Sequence, residues 1–477
     1  MARFPLPSVP SRLIDVEVAA ERRRGADVAT LVPAGAQVPV EGVEHSGKAG
    51  EVRRVPGGTV RWLVGIGAGE PANWRTAGAA LAREAGAEQG GAKAVQVELA
   101  EDVAAEQVAE LTLGALLGGY RFKVGADAGQ SVLRTLRLLT PDAGHQRVVE
   151  RVRVLAGASA LARDLANTPS NIKNPEWLAD TAARVAGEVP GLSATVRDEQ
   201  WLAAQGFGGV LAVGGGSASP PRLIELTYRP RGVTRHLLLV GKGITFDTGG
   251  LSIKPADGMH LMRTDMAGGG AVVAAARAIA ELRLPVRITA LVPAAENHVS
   301  GSSYRPGDVV RHYGGRTTEV SNTDAEGRMV LADALVYGIR RFSPDAVVDV
   351  ATLTGAMKVA LGLRTGGLFA TDDKLADGIR EAGASVGEAW WRMPLLDAHA
   401  DAVRGELADV KQTPGGPGGI TAALFLREFT EGLPWAHLDI AGPARAEKPY
   451  AEVVPGATGF AARTLVAFAE SFGSDQA

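Results

Sequence analysis

Short apolar stretches at residues 13–18, 59–66 and 94–99 alternate with glycine-rich turns, and a helix-like run follows over 104–117. That rhythm predicts a small α/β unit in the first 140 residues. From about residue 140 to 167 the spacing changes. Val148, Val149, Val152, Leu155, Leu161 and Leu165 recur with helical periodicity among charged and small residues. Beyond Pro169-Ser170-Asn171-Ile172-Lys173-Asn174-Pro175, strand-like runs at 237–240, 288–292 and 346–350 alternate with helix-like runs at 271–282 and 331–340. Alternation of that kind predicts a mostly parallel sheet flanked by helices. A chain of 477 residues exceeds what one hydrophobic core normally organises. The expectation is an α/β protein of two domains: a smaller N-terminal one over 1–140, a helix over 141–168 and a larger one over 169–477.

Composition narrows the function more than the fold. Hydrophobic residues at 46% and charged residues at 22% describe an ordinary globular chain. A net charge of −3 leaves no electrostatic footprint for nucleic acid, and Arg22-Arg23-Arg24 is too short to supply one; it reads as a solvated face. The absence of cysteine excludes disulfides, thiolate metal sites and a thiol nucleophile, and it favours the cytoplasm. The opening Met1-Ala2-Arg3-Phe4-Pro5-Leu6-Pro7 lacks the apolar core of a signal peptide, and no uninterrupted apolar run approaches about 18 residues. Neither export nor membrane spanning is expected. Gly65-Ile66-Gly67-Ala68-Gly69 follows a strand-like run, but the complete nucleotide-binding fingerprint is missing.

Candidate chemistry concentrates in two places. Lys242-Gly243-Ile244-Thr245-Phe246-Asp247 follows the apolar run 237–240 directly, and ligands of open α/β sheets bind beyond the carboxyl ends of strands. Gly241, Gly243, Gly249 and Gly250 would let this backbone adopt positive φ and pass close to a ligand. The heptapeptide Asn322-Thr323-Asp324-Ala325-Glu326-Gly327-Arg328 sets two carboxylates and a guanidinium just before a helix-like run over 329–341. Helix capping accounts for such acids equally well, and Asp265 could cap a helix over 268–282. Alternatively, Asp247, Asp265, Asp324 and Glu326 supply hard oxygen ligands, with no histidine inside either segment. Four converging carboxylates would raise one another's pKa values and destabilise the fold unless cations held them. Lys242 reads as a turn lysine, Lys254 as a snorkelling surface lysine and Met262 as core filler. Arg328 would be an exposed helix-start residue, although a cation there opposes the helix dipole.

The unbroken segments Val240-Gly241-Lys242-Gly243-Ile244-Thr245-Phe246-Asp247-Thr248-Gly249-Gly250-Leu251-Ser252-Ile253-Lys254-Pro255 and Asn322-Thr323-Asp324-Ala325-Glu326-Gly327-Arg328 resemble the signature stretches of the cytosolic leucine aminopeptidase family. Similarity continues through Tyr304-Arg305-Pro306-Gly307-Asp308, Gly415-Gly416-Pro417-Gly418-Gly419 and Trp435-Ala436-His437-Leu438-Asp439-Ile440-Ala441-Gly442, covering nearly everything after Asp164. The first 140 residues match only loosely, and His298 stands where relatives often carry methionine.

The resemblance implies a metal-dependent aminopeptidase with two divalent ions, Mn²⁺ or Zn²⁺. Lys242, Asp247, Asp265 and Glu326 would surround one ion, and Asp247, Asp324 and Glu326 the other. A lysine can ligate only as the neutral amine, a state that burial beside cations favours. Adjacent ions can share and acidify a water and polarise a peptide carbonyl. Lys254 would stabilise the developing oxyanion, and Arg328 would carry a bicarbonate that shuttles the proton. Met262 would line the side-chain pocket, while Thr352, Leu353 and Gly355, within Thr352-Leu353-Thr354-Gly355, would hold the peptide backbone. A free, deprotonated α-amine would be required, with leucine and other apolar residues preferred at the N-terminus. The helix over 141–168 would link the two domains, and the assembly would be a homohexamer of two stacked trimers. Two further readings are a two-metal phosphatase on the same ligands, and a non-hydrolytic binding protein, since the resemblance includes bacterial relatives with secondary DNA-binding roles.

Overall fold

The computed structural model describes residues 8–474, apart from 39, 57–59, 88, 90 and 126–131. The opening Met1 to Pro7 and Thr59, both used above, lie outside the described residues. Two compact units emerge: the chain up to Ala160 together with Ala446–Gly456, and Leu161–Arg445 together with the chain from Ala457 onward.

The first unit holds one six-stranded sheet. Its strands are β1 (Asp15–Ala19), β2 (Asp27–Pro33), β3 (Val52–Arg54), β4 (Val60–Gly67), β5 (Ala94–Glu98) and β6 (Thr135–Leu139), in spatial order β1-β6-β5-β2-β4-β3. All pairs are parallel except β3 with β4. Helices Pro71–Ala85 and Ala105–Gly118 pack closely because glycines face backbone. A Cβ on Gly78 would lie 2.1 Å from the Leu111 carbonyl oxygen, and one on Gly114 2.0 Å from that of Arg75. Trp62, Leu81, Val95, Leu111 and Leu136 fill the core.

The second unit is organised by a nine-stranded sheet. Its members are β7 (Leu192–Arg197), β8 (Arg222–Tyr228), β9 (His236–Gly241), β10 (Gly243–Asp247), β11 (Arg287–Asn297), β14 (Ala346–Ala351), β15 (Thr365–Ala370), β16 (Ala389–Arg392) and β18 (Trp435–Asp439). The order is β16-β15-β18-β14-β9-β11-β8-β7, with β10 extending β9 along β11. The central strands β18, β14, β9 and β11 run parallel; the first three are fully buried and β11 is buried except at Arg287 and Glu296, which explains their Leu, Val and Ile runs. Antiparallel pairing is confined to the flanks, at β11 with β8, β8 with β7 and β15 with β18. A small sheet of β12 (Val309–Arg311), β13 (Thr317–Glu319) and β17 (Val410–Lys411) completes the strands near the site.

Helix Ala267–Glu281 begins with Gly268-Gly269-Gly270, and a Cβ on Gly268 would lie 2.1 Å from the Val350 carbonyl oxygen. The glycines thus let its first turn rest on the ends of β9 and β14. Helix Glu326–Phe342 buries every residue from Glu326 to Ile339. No helix among the described residues is long and apolar enough to cross a membrane.

Candidate metal centre at the carboxyl edge of the sheet

Lys242 occupies the one-residue interruption between β9 and β10. Its amide still donates to the Val350 carbonyl at 3.0 Å, so the backbone stays tied to the sheet while the side chain is aimed into the site. The ammonium lies 2.7 Å from Glu326 Oε1 and 2.9 Å from Asp265 Oδ2, and it donates to Asp265 Oδ1 and the Thr352 carbonyl, each at 3.0 Å. Burial works against its charge, but Asp265, Glu326 and Asp247 outweigh that and hold the amine protonated.

Asp247 ends β10. Its Oδ1 accepts from Gly249 N and Asn297 Nδ2, both at 2.8 Å, and its Oδ2 faces the Lys254 ammonium at 2.8 Å. Lys254 also pairs with Asp324 Oδ1. It is not a free surface lysine: against the opposing effect of burial, Asp247 and Glu326 raise its pKa. The loop between them turns through Gly249 and Gly250, at φ +87° and +62°. Gly241 and Gly243 do not adopt positive φ; they are needed for space, since a Cβ on Gly241 would meet Gly269 Cα at 2.6 Å.

Neither capping alternative describes the acids. Helix Ala267–Glu281 takes Met266 as its N-cap without a side-chain bond, and Asp265 instead accepts from the Thr352 hydroxyl at 2.7 Å. Helix Glu326–Phe342 likewise has an uncapped start at Ala325, with Glu326 its first residue and buried. Asn322, not an acid, secures the turn: its Oδ1 accepts from Asp324 N at 2.9 Å. Gly327 lies inside the helix rather than at a turn, and a Cβ there would meet Lys242 Cε at 2.7 Å and Nζ at 2.9 Å.

Asp247, Asp265 and Glu326 each offer one oxygen within 4.8 Å of the others, and all three are buried. Burial first, then Asp247, push Glu326 up to about 8; burial raises Asp265, and burial with Asp247 raises Asp324. Asp265 Oδ2, Asp324 Oδ1 and Glu326 Oε1 are sequestered from solvent and receive no well-aligned hydrogen bond, only a lysine at ion-pair distance. Hard oxygen donors with unused acceptor capacity, crowded into a buried space, fit a divalent cation.

Arg328 is buried, contrary to an exposed helix-start position. Its Nη1 donates to the Gln412 carbonyl at 2.6 Å, while Nε has no hydrogen-bond partner among the described residues. Burial lowers its pKa to about 10, opposed by Glu326 and Asp439, so it remains a cation at neutral pH. Met262 lies half-buried in the 3₁₀ turn His260–Thr264, whose C-cap is Asp265. Thr352 and Leu353 follow β14, and Gly355 is exposed at the start of helix Gly355–Leu361.

Several residues that hold this arrangement carry no ligand signature. Gln412 accepts from Ser321 N and Asn322 N, each at 3.0 Å, and donates to the Ala325 carbonyl at 3.2 Å. The parallel pairing of Glu319 with Lys411 aligns it for this. Thr323 donates to the Gly249 carbonyl at 2.7 Å and accepts from Ser252 N at 2.8 Å, joining the two signature segments. Asn297 bridges Asp247 and the Thr323 carbonyl, and Asp439 grips the segment after β14. The sequence does contain these residues in or near the stretches that carry the resemblance, but nothing in their spacing assigns them a partner.

A buried carboxylate cluster at the carboxyl edge of a central parallel sheet is the mark of an α/β protein whose site suits a divalent metal. The catalytic-domain description of the cytosol aminopeptidase family matches residues 160–466. The chain is 41% identical to a probable cytosol aminopeptidase of Acaryochloris marina over 90% of its own length and 89% of that protein's. It is 44% identical to one of Streptomyces coelicolor with the same coverages. Among solved structures it is similar to the bottromycin maturation enzyme BotP in complex with Mn, with TM-score 0.85 and 41% identity over 94% of this chain and 99% of BotP. It is also similar to a tomato leucine aminopeptidase mutant, with TM-score 0.88 and 30% identity over 98% of each chain. The chain belongs to the cytosol aminopeptidase family. It is a metal-dependent aminopeptidase that acts on peptides from their N-termini.

Proposed function

We propose that this enzyme is a leucyl aminopeptidase that holds two divalent ions, Mn²⁺ or Zn²⁺, through Asp247, Asp265, Asp324, Glu326 and Lys242, the last only as the neutral amine that cations beside it would favour. The observation that carries the reading is the convergence of those five side chains at one sheet edge, three of the carboxylates within 4.8 Å of one another. The manganese in BotP, at 41% identity, supports the choice of metal for that relative and by extension here. When bound, such ions would supply Lewis-acid polarisation of the scissile carbonyl and an activated water.

The chain's own groups would do the rest. Lys254, the more exposed of the two lysines, is suited to donate to the oxygen on which negative charge develops. Arg328, cationic and buried, is suited to hold a bicarbonate, which would supply a base for proton transfer to the leaving amine. Arginine itself cannot act as that base. The main chain of Thr352, Leu353 and Gly355 would align the peptide and Met262 would line the pocket for an apolar N-terminal side chain. We further propose a cytoplasmic homohexamer, a reading supported by the family's name and resemblance.

Metal analysis with a panel of aminoacyl amides tests this. Leucine amide hydrolysis should require added Mn²⁺ or Zn²⁺, and an N-acetylated leucine amide should not react; equal rates on both would sink the exopeptidase mechanism. Asp324→Ala should lower metal content by about one ion per chain, and an unchanged stoichiometry would refute its assignment. Light scattering that gave a monomer at micromolar concentration would remove the hexamer.

A further inference from the structure

Asp439 lies at the end of β18, fully buried, and no ligand or proton-transfer role falls to it. Its four acceptor directions are nevertheless all engaged by one neighbourhood. Oδ2 accepts from Thr354 N at 3.0 Å and from the Thr354 hydroxyl at 2.7 Å. Oδ1 accepts from Leu353 N at 3.2 Å and Ala441 N at 3.1 Å. One carboxylate therefore clamps the segment after β14 to the segment after β18. The parallel register that sets Ala351 beside Asp439 brings it within reach.

The clamped segment is not remote from the chemistry. The residue immediately before it, Thr352, offers its carbonyl to Lys242 at 3.0 Å and donates its hydroxyl to Asp265 at 2.7 Å. Around the residue immediately after, Gly355, a Cβ would meet none of the described residues within 4 Å beyond its chain neighbours and its own helix backbone. A buried carboxylate is costly unless compensated. Here His437, two residues earlier on the same face of β18, lies beside it and donates through Nδ1 to Asp349 Oδ1 at 2.6 Å. An amide in place of Asp439 would present N–H groups to N–H donors and could satisfy only one of the two segments.

We propose that Asp439 is a positioning residue for substrate. It sets the spacing between residues 353–354 and Ala441, so that the edge from Leu353 to Gly355 meets a peptide backbone while Thr352 stays docked on Lys242 and Asp265. The inference rests on the reading of residues 352–355 as the substrate edge, and the experiment separates the two.

Leucine amide hydrolysis is followed at saturating Mn²⁺ in Asp439→Asn, Thr354→Val and Gly355→Trp, with metal content and thermal unfolding measured on each. Asp439→Asn should raise KM by about tenfold or more with kcat reduced less than threefold and metal content unchanged. Thr354→Val removes one of the four donors and should raise KM about threefold, which keeps the inference testable where Asp439→Asn fails to fold. Gly355→Trp should raise KM by obstructing the edge. A Gly355→Trp enzyme with wild-type KM would overturn the reading of the edge, and the positioning role with it. A raised KM in Gly355→Trp with unaltered KM in Thr354→Val and in any folded Asp439→Asn would overturn the role of Asp439 alone. A fall in kcat with loss of metal in Asp439→Asn would also overturn it, assigning the residue to the metal cluster instead.

Discussion

Gly327 is where local propensity and the site disagree. Replacing a helix glycine by alanine normally stabilises by up to about 1 kcal/mol. Here the new methyl would stand 2.7 Å from Lys242 Cε and 2.8 Å from Cδ, and the lysine is enclosed by Asp265 and Glu326. Gly327→Ala is therefore expected to destabilise by about 1–3 kcal/mol through overpacking. It should also lower kcat/KM by at least tenfold; a raised melting temperature with full activity would contradict the close approach. Asp247, Asp324 and Glu326 were legible as candidates because they sit in two uninterrupted segments, whereas Asp265 lies outside both. The reason for Gly327 was not legible, because the atom it accommodates belongs to a residue 85 positions earlier in the chain (327 − 242).

At the level of elements, hydropathy located the strands and helices but misjudged where the chemistry-bearing helices begin. The apolar run suggested a start at 329, whereas the helix begins at Glu326. Glu326, Gly327 and Arg328 are buried by partners rather than by apolarity, so a hydrophobic pattern passes over them. The same holds for Ala267–Glu281, whose first turn is mostly glycine, so that its apolar run starts only at 271. Gln412 shows what no pattern reveals: its side chain bonds three backbone groups about 90 residues away. Gln412→Ala should cost about 1–3 kcal/mol by stranding those groups. It should depress kcat by loosening the turn that carries Asp324 and Glu326, with denaturant unfolding and steady-state kinetics as the checks.

For the whole molecule, acid sensitivity has an identifiable contributor outside the site. His236 begins β9, its Nε2 lies 2.9 Å from the Thr289 hydroxyl, and its ring is buried. Burial, with Arg287 and Arg229 adding to it, lowers its pKa from 6.5 to about 4. The unfolded chain therefore binds this proton more readily, so stability is present above pH 6.5 and declines as pH falls toward 4. His236→Asn should show a smaller drop in melting temperature between pH 7 and pH 4.5 than the parent; an identical drop would remove His236 from the account.

The sheet order carries a consequence for synthesis. β18, the last strand of the large sheet in sequence, lies between β14 and β15, not at an edge. A ribosome must deliver residues up to Asp439 before the centre of that sheet can close, which at about 5–20 residues per second takes upwards of about 20 seconds. Until then Leu353 and Thr354 lack their clamp, and β14 and β15 have no strand to join them. A half-made copy of this peptidase therefore cannot present the finished sheet edge on which the carboxylates converge, and the unfinished chain passes through the cell without a working blade.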